Sequence, residues 1–240
     1  GDDMRGYLNK SNIIKFSVNT IMGIFTAISI ISISTIMALN MKFIYKIIIE
    51  KYNLVSVTGI SSNDLFLNYS KIINYLQNPF DSKLVLPNFV MSEYGKIHFK
   101  EVKDIFIVLI IISIIFLLFI TGYIVFSKIE NKKEFKINII NNLNLGANIL
   151  ICFLGFIIAA ILIDFSKAFT LFHKIIFNND YWIFDPSTDP IINALPEELF
   201  MIYALIILVI ILSISVIIKI NKRKIVRGSA FSYSEKMIIK

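Results

Sequence analysis

The 240-residue chain has only two histidines, one cysteine and one tryptophan, and 17% of its residues are charged. Each shortage excludes something. Cys152, mid-way along an apolar run, has no partner for a disulfide framework or a cysteine-based metal site. The sequence contains no HExxH, GxSxG or CxxC and no glycine-rich phosphate loop, which removes zinc proteases, nucleophile-elbow hydrolases, dithiol redox proteins and P-loop enzymes. An enzyme with no serine or cysteine marked as nucleophile is expected to draw its nucleophile from the substrate. The charged fraction is also below the roughly one quarter typical of soluble domains, while 56% of the residues are hydrophobic. That balance belongs to a membrane protein. The formal charge of +7 is clustered beside apolar runs, where Lys and Arg set orientation and meet anionic lipid headgroups. Nucleic-acid binding is not read from it.

Uncharged apolar runs are what the chain has in abundance. Four read as membrane-spanning helices, at about residues 16–39, 105–126, 147–163 and 199–218, against the roughly 20 residues needed to cross a hydrocarbon core of about 30 Å. The first is too long for a signal-peptide core and has no small-x-small cleavage site, so it reads as a retained span. Lys42, Lys46 and Glu50 recur every four residues opposite Phe43, Ile44, Ile47 and Ile48, the stripe of an interfacial helix. Asp64 is expected to N-cap a second amphipathic helix through Leu76, stopped by Pro79. Lys128, Lys132, Lys133 and Lys136, with Glu130 and Glu134, mark a basic connection, and Lys219, Lys222, Arg223, Lys224 and Arg227 a basic tail of little apparent structure. No internal repeat, coiled-coil heptad or low-complexity tract is visible. The expected fold is all-α: one integral membrane domain over 1–240 with four transmembrane helices, interfacial helices and an extracytoplasmic cap made from outer segments 40–104 and 164–198.

Four spans put both termini on one side, and the basic middle connection and tail assign that side to the cytoplasm. The segment from Asp164 to Glu198 has only Lys167 and Lys174 against six carboxylates, which fits the outside. Polar chemistry is concentrated there, in a stretch from Phe172 to Phe200 that reads as an active-site loop and holds His173, Trp182 and three of the five prolines. His98 precedes the second span, so the topology brings both histidines to the outer membrane face. Singly, each reads as an amphipathic side chain in the headgroup region; as a pair, they suit general acid and base work near neutral pH. Asp104 and Asp164 bound spans at the same face and read either as span-end markers or as carboxylates that orient an imidazole. Glu101 is expected to pair with His98 along a helix face. Trp182 and Tyr181 fit an interfacial aromatic belt, and Asn179 and Asp189 are expected to order the loop.

The runs FHKIIF, NDYW, DPSTD and LPEELF, together with LVLPNFVMSEYGKIHFKEVKDIF upstream, resemble the two outer segments of the bacterial lipoprotein intramolecular transacylase (Lit) family of four-span membrane proteins. The upstream run matches that family's LPxFxxSxxGxxHFxDVK pattern, apart from Glu101 in place of Asp. The resemblance implies an acyltransferase that moves the sn-2 acyl chain of a lipoprotein's diacylglyceryl-cysteine to its own α-amine, giving the lyso form. With it, His98 and His173 are expected as catalytic residues, Asp104, Asn179, Asp164, Trp182 and Asp189 are expected in support, and no cofactor or metal is expected. Diacylglyceryl-modified lipoproteins and membrane lipids are the implied partners, reached laterally from the outer leaflet. Two other readings stand beside it: a non-catalytic transporter subunit or assembly partner, and a membrane-embedded metal-dependent hydrolase using the two histidines and nearby carboxylates. The spans carry no ionisable group well inside them, which disfavours a transporter.

Overall fold

The computed structural model describes the backbone of residues 2–129 and 133–238 and the side chains of residues 12–127 and 136–227. The side chains of Lys128, Glu130, Lys132, Lys133 and Glu134 in the basic connection therefore lie outside the described residues. The described chain is all-helical: α1 (Asp2–Leu39), α2 (Phe43–Lys51), α3 (Leu54–Thr58), α4 (Ser62–Gln77), α5 (Glu93–Ile129), α6 (Lys133–Ile163), α7 (Phe165–Ile176), a 3-10 turn (Pro190–Ala194) and α8 (Glu197–Ile238). Four segments are long and apolar enough to cross a membrane, Asn12–Leu39, Glu93–Ser127, Lys136–Ile163 and Glu197–Arg227. Ile114, Leu117, Leu118, Phe153, Phe156 and Val209 lie exposed along them. Such sides suit lipid rather than water, and helices are the form in which a backbone satisfies its own polar groups there.

Several boundaries differ from the sequence reading. The helix of the second span starts earlier than the apolar run: α5 begins at Glu93, so His98 lies on it rather than ahead of it. The Phe172–Phe200 stretch is not wholly a loop either, since its first residues complete α7. The basic stretch after residue 218 continues α8 as helix. Asp64 is not the cap of α4: Ser61 takes that position, its Oγ accepting from the Asp64 amide at 3.2 Å and donating to Asp64 Oδ2 at 2.7 Å. Serine and aspartate three residues apart satisfy the first turn together, which a search for a single capping residue misreads. In α2 the buried face is Ile44, Tyr45, Ile48 and Ile49, one position on from the expected stripe, because Phe43 and Ile47 are exposed.

The chain divides into two compact units. One comprises Gly1–Ile31, Ile112–Phe156 and Val209–Lys240. Close helix approach defines it: a Cβ built on Gly146 would fall 2.7 Å from the Thr26 side chain and 2.8 Å from the Gly23 carbonyl oxygen. Thr26 cannot simply turn away, since its Oγ1 donates to the Met22 carbonyl at 2.8 Å. Small residues let membrane helices pack at such distances, where no hydrophobic effect drives them together.

The other unit comprises Ser32–Ile111 and Ile157–Leu208. Its core gathers α2, α3 and α4 with Phe89, Phe99, Ile191, Ala194 and Leu199. Buried polar atoms are paired across it. Tyr45 stacks on Tyr69 at 4.1 Å and donates to the Ala194 carbonyl at 2.8 Å, while the Tyr69 and Tyr203 hydroxyls meet at 2.8 Å. Asn68, fully buried, donates to Asp64 O and to Asn88 Oδ1, each at 2.7 Å, tying the irregular segment after α4 to the core. Buried Lys103 donates to the Asp81 carbonyl and lies 4.6 Å above the Tyr75 ring.

Gly146→Ala tests the close approach. Alanine gains up to about 1 kcal/mol of helix propensity over glycine, but overpacking against a backbone oxygen costs about 1–3 kcal/mol. The expected result is a net loss, read as an unfolding temperature several degrees lower in detergent; an unchanged or higher temperature would contradict it.

Candidate active site

α7 builds one wall of the site. Phe165, Phe169 and His173 recur at four-residue intervals, one helical face, and the Asp164 side chain caps the helix by accepting from the Lys167 amide at 3.0 Å. The last turn places His173 beside buried Phe177. The first turns of α5 supply His98 and Phe99. The two imidazole centroids lie 6.0 Å apart, and each histidine is only 8% exposed.

Aromatic rings surround both. His98 meets Phe177 and Phe184 edge-on at 4.8 and 5.6 Å. His173 has Phe169 at 4.1 Å and Trp182 at 4.8 Å, and Phe200 packs on Phe169 at 5.3 Å. Trp182 thus packs against an imidazole rather than serving only as a membrane-interface residue.

The polar geometry is asymmetric. His173 Nδ1 lies 2.7 Å from the Phe169 carbonyl oxygen. A carbonyl only accepts, so Nδ1 carries the proton and the neutral ring keeps its lone pair on Nε2. Burial pushes the His173 pKa down from its ordinary value, opposed by the bond to Phe169. His98 Nδ1 is buried without a hydrogen-bond partner among the described residues.

The carboxylates considered as imidazole orienters are placed elsewhere. Asp104 is exposed and pairs with Lys100 at 2.7 Å. Asp164, besides capping α7, pairs with Lys167 at 2.9 Å. Each is engaged by a charge three or four residues along its own helix, where α-helical geometry brings neighbours together. The tautomer of His173 is instead held by a backbone carbonyl that nothing in composition announces. Glu101 does not pair with His98 in the structure: its Oε1 accepts from Asn179 Nδ2 at 2.7 Å.

Asn179 and Asp189 hold the connecting segment. Asn179 Oδ1 accepts from the Tyr181 amide at 3.0 Å and its backbone carbonyl from Trp182 Nε1 at 3.1 Å, so one residue holds the tryptophan through its backbone and joins the segment to α5 through its side chain. Asp189, 3% exposed, accepts from the Ser92 amide at 2.8 Å and from Thr188 Oγ1 at 2.8 Å. Gly95 leaves the room: a Cβ there would sit 2.3 Å from Asp189 Oδ1. No cluster of three or more His, Cys, Asp or Glu that could hold a metal ion exists among the described residues.

Comparison with known proteins places this geometry. The profile described as "Lipoprotein intramolecular transacylase Lit" matches residues 20–200. The chain belongs to the Lit family. The structure of the membrane-integral lipoprotein intramolecular transacylase Lit from Bacillus cereus is 30% identical, with a TM-score of 0.78 over 92% of this chain and 99% of that one. Two structures of the Bacillus cereus protein with a single histidine replaced, by arginine or by alanine, are each 29% identical, with TM-scores of 0.74 and 0.70. They cover 95% and 94% of this chain and 99% of theirs. No curated protein sequence matches. This Lit-family chain is thus a multi-pass membrane protein of the acyltransferase type, with its two histidines side by side in one compact unit.

Proposed function

We propose that the chain transfers the sn-2 acyl chain of a lipoprotein's diacylglyceryl-cysteine to the α-amine of that same cysteine, giving the lyso form, with His98 and His173 as its catalytic residues. The observation that carries the reading is the pair of imidazoles 6.0 Å apart inside an aromatic enclosure, in a chain of the Lit family. The α-amine, with a reference pKa of about 7.7–8.0, is mostly protonated near neutrality and attacks only after losing a proton. His173, with Nε2 free to accept, takes it. The amine nitrogen then bonds to the sn-2 carbonyl carbon, and collapse of the tetrahedral intermediate breaks the bond from that carbon to the glycerol oxygen. The nitrogen gives up its second proton and ends as an amide; of the two protons it loses, one goes to the departing oxygen and the other is released. His98 stabilises the oxyanion or delivers the proton to the leaving oxygen.

Access from the lipid side fits the surroundings of α7. Leu171, Phe172, Ile175 and Ile176 are exposed beside His173, a surface suited to a substrate whose acyl chains remain in hydrocarbon. The excess of Lys and Arg in the middle connection and in the tail supports cytoplasmic termini and an outward-facing site.

Mass spectrometry of the N-terminus of a model lipoprotein tests the reaction. The wild-type protein is expected to convert the diacylglyceryl form to the N-acyl lyso form, and His173→Ala to lose about 10²–10⁴-fold in rate, the usual contribution of a general base; a folded His173→Ala protein of near-normal rate would overturn the assignment. The pH profile offers a second check. His173 must be neutral to accept a proton and burial lowers its pKa, so its form at pH 7 is the active one. Beyond the limb due to the substrate amine, activity is expected to fall on acidification only below the ordinary histidine value of about 6.5; an enzyme limb above that value would contradict the buried-base reading. Orientation is open to cysteine labelling at Asn179 and Lys224 in a Cys152→Ser background. Modification of both from the same membrane face would rule out the proposed topology.

A further inference from the structure

Glu101 carries an unbalanced carboxylate. One oxygen accepts from Asn179 at 2.7 Å, whereas Oε2 is buried and has no hydrogen-bond partner among the described residues. The adjacent cation, Lys100, is engaged by Asp104 at 2.7 Å. One helical turn before Glu101, His98 Nδ1 is likewise buried and unpartnered. Unmet buried polar atoms are few in native proteins and each calls for a reason, because an unsatisfied buried group, above all a charged one, is destabilising. Two of them a turn apart on α5, beside the imidazole pair, are accounted for by a ligand that brings hydrogen-bond donors.

Resting on the substrate reading given above, we infer that Glu101 Oε2 binds the α-ammonium group of the lipoprotein's N-terminal cysteine. The reacting end of that substrate has ester oxygens and a thioether sulfur, which only accept, and one cation with three N–H donors. Only the cation both satisfies a carboxylate oxygen and compensates its charge, and such charge-assisted bonds are the stronger kind. The placement is consistent with the proton transfer. Glu101 accepts from the Asn179 side chain, the Asn179 backbone carbonyl holds Trp182, and Trp182 packs on His173 at 4.8 Å, so hydrogen bonds and one ring contact connect the bound nitrogen's site to the base. After one proton passes to His173, the neutral amine still donates to Oε2, which leaves its lone pair directed away from the carboxylate. Glu101 in this role binds and orients the nucleophile.

A purely structural Glu101, serving only to hold Asn179, makes a different prediction. Trp182 is the sole tryptophan, so its fluorescence in the full-length protein in detergent reports binding of an S-diacylglyceryl-cysteinyl peptide. Two probes are compared, one with a free α-amine and one N-acetylated. The wild-type protein is expected to prefer the free amine at least about tenfold, the scale of one charge-assisted hydrogen bond. Glu101→Gln keeps an oxygen for Asn179 but presents an amide donor to the ammonium; it is expected to abolish the preference while leaving affinity for the acetylated peptide unchanged. Glu101→Asp retains both oxygens and is expected to keep the preference. As a framework control, Asn179→Ala weakens both peptides alike and keeps their ratio. Equal affinity of the wild type for the two peptides, or a Glu101→Gln protein that loses both equally or neither, overturns the inference. Because the ratio is measured within each variant, partial misfolding does not mimic the result. Conversion is scored separately by mass: a wild-type protein that prefers the free amine without transferring the acyl chain refutes the reaction and leaves the ammonium site standing.

Discussion

The bond from His173 Nδ1 to the Phe169 carbonyl, 2.7 Å, is the constraint on which the site's chemistry depends. It fixes which nitrogen of His173 holds the proton and keeps the ring at one angle on α7. In hydrolytic triads a buried carboxylate does this and also stabilises the imidazolium that forms. A carbonyl contributes only a dipole, so the imidazolium of His173 is less favoured and a proton gained is more readily passed on. In the proposed reaction that is an advantage, since the proton taken from the amine is needed within the same turnover by the leaving oxygen. The transfer from an amine of reference pKa about 7.7–8.0 to an imidazole near 6.5 is uphill by about 2 kcal/mol on ordinary values, and by more when burial lowers the acceptor. This is small beside the barrier of an uncatalysed acyl transfer, so a weak base that releases its proton is the better compromise.

Irregular backbone in an apolar setting persists only where its polar groups find partners, and the segment from Phe177 to Pro190 meets that condition with three side chains. Asn179 bonds to Glu101, to the Tyr181 amide and, through its carbonyl, to the Trp182 indole. Asp185 accepts from the Ser187 amide and hydroxyl, and Asp189 reaches the Ser92 amide just ahead of α5. The glycine at residue 95 is required by the last of these, because any β-carbon would occupy the Asp189 oxygen's place. The aromatic side chains are therefore positioned by polar residues that do not touch the imidazoles.

Much of this was legible in the sequence, because the largest signals are compositional. Charge-free runs give four spanning helices, and the two histidines beside span ends are the pair that the fold brings within 6.0 Å. What stayed hidden is local. An acidic residue at a span end looks the same whether it caps a helix or orients an imidazole; the difference at Asp164 and Asp104 lies in Lys167 and Lys100, three and four residues away. The interval of four in Phe165, Phe169 and His173 is the signal of α7, whose last residues enter the stretch that reads as a loop. The backbone carbonyl that holds His173 leaves no trace in residue type at all, and neither does the unmatched oxygen of Glu101, which depends on where Asn179 falls in space.

The aromatic enclosure explains why so little machinery suffices. Intramolecular reactions held in a productive geometry reach effective molarities of about 10⁵–10⁸ M, equivalent to roughly 7–11 kcal/mol of barrier. A substrate that contains both amine and ester makes that gain available to any site that folds it correctly. The competing fate of an activated ester near a general base is hydrolysis, which a site exposed to water would not suppress. Rings of Phe169, Phe177, Trp182 and Phe184 packed about the imidazoles leave both histidines almost wholly buried, which in the proposed reaction keeps water from competing with the amine. The same rings offer faces and edges to lipid, which lets one surface exclude water and accept acyl chains. A polar cage would order the imidazoles more firmly but would admit the hydrolytic water, whereas aromatic rings beside both histidines and one backbone carbonyl on His173 hold them without it.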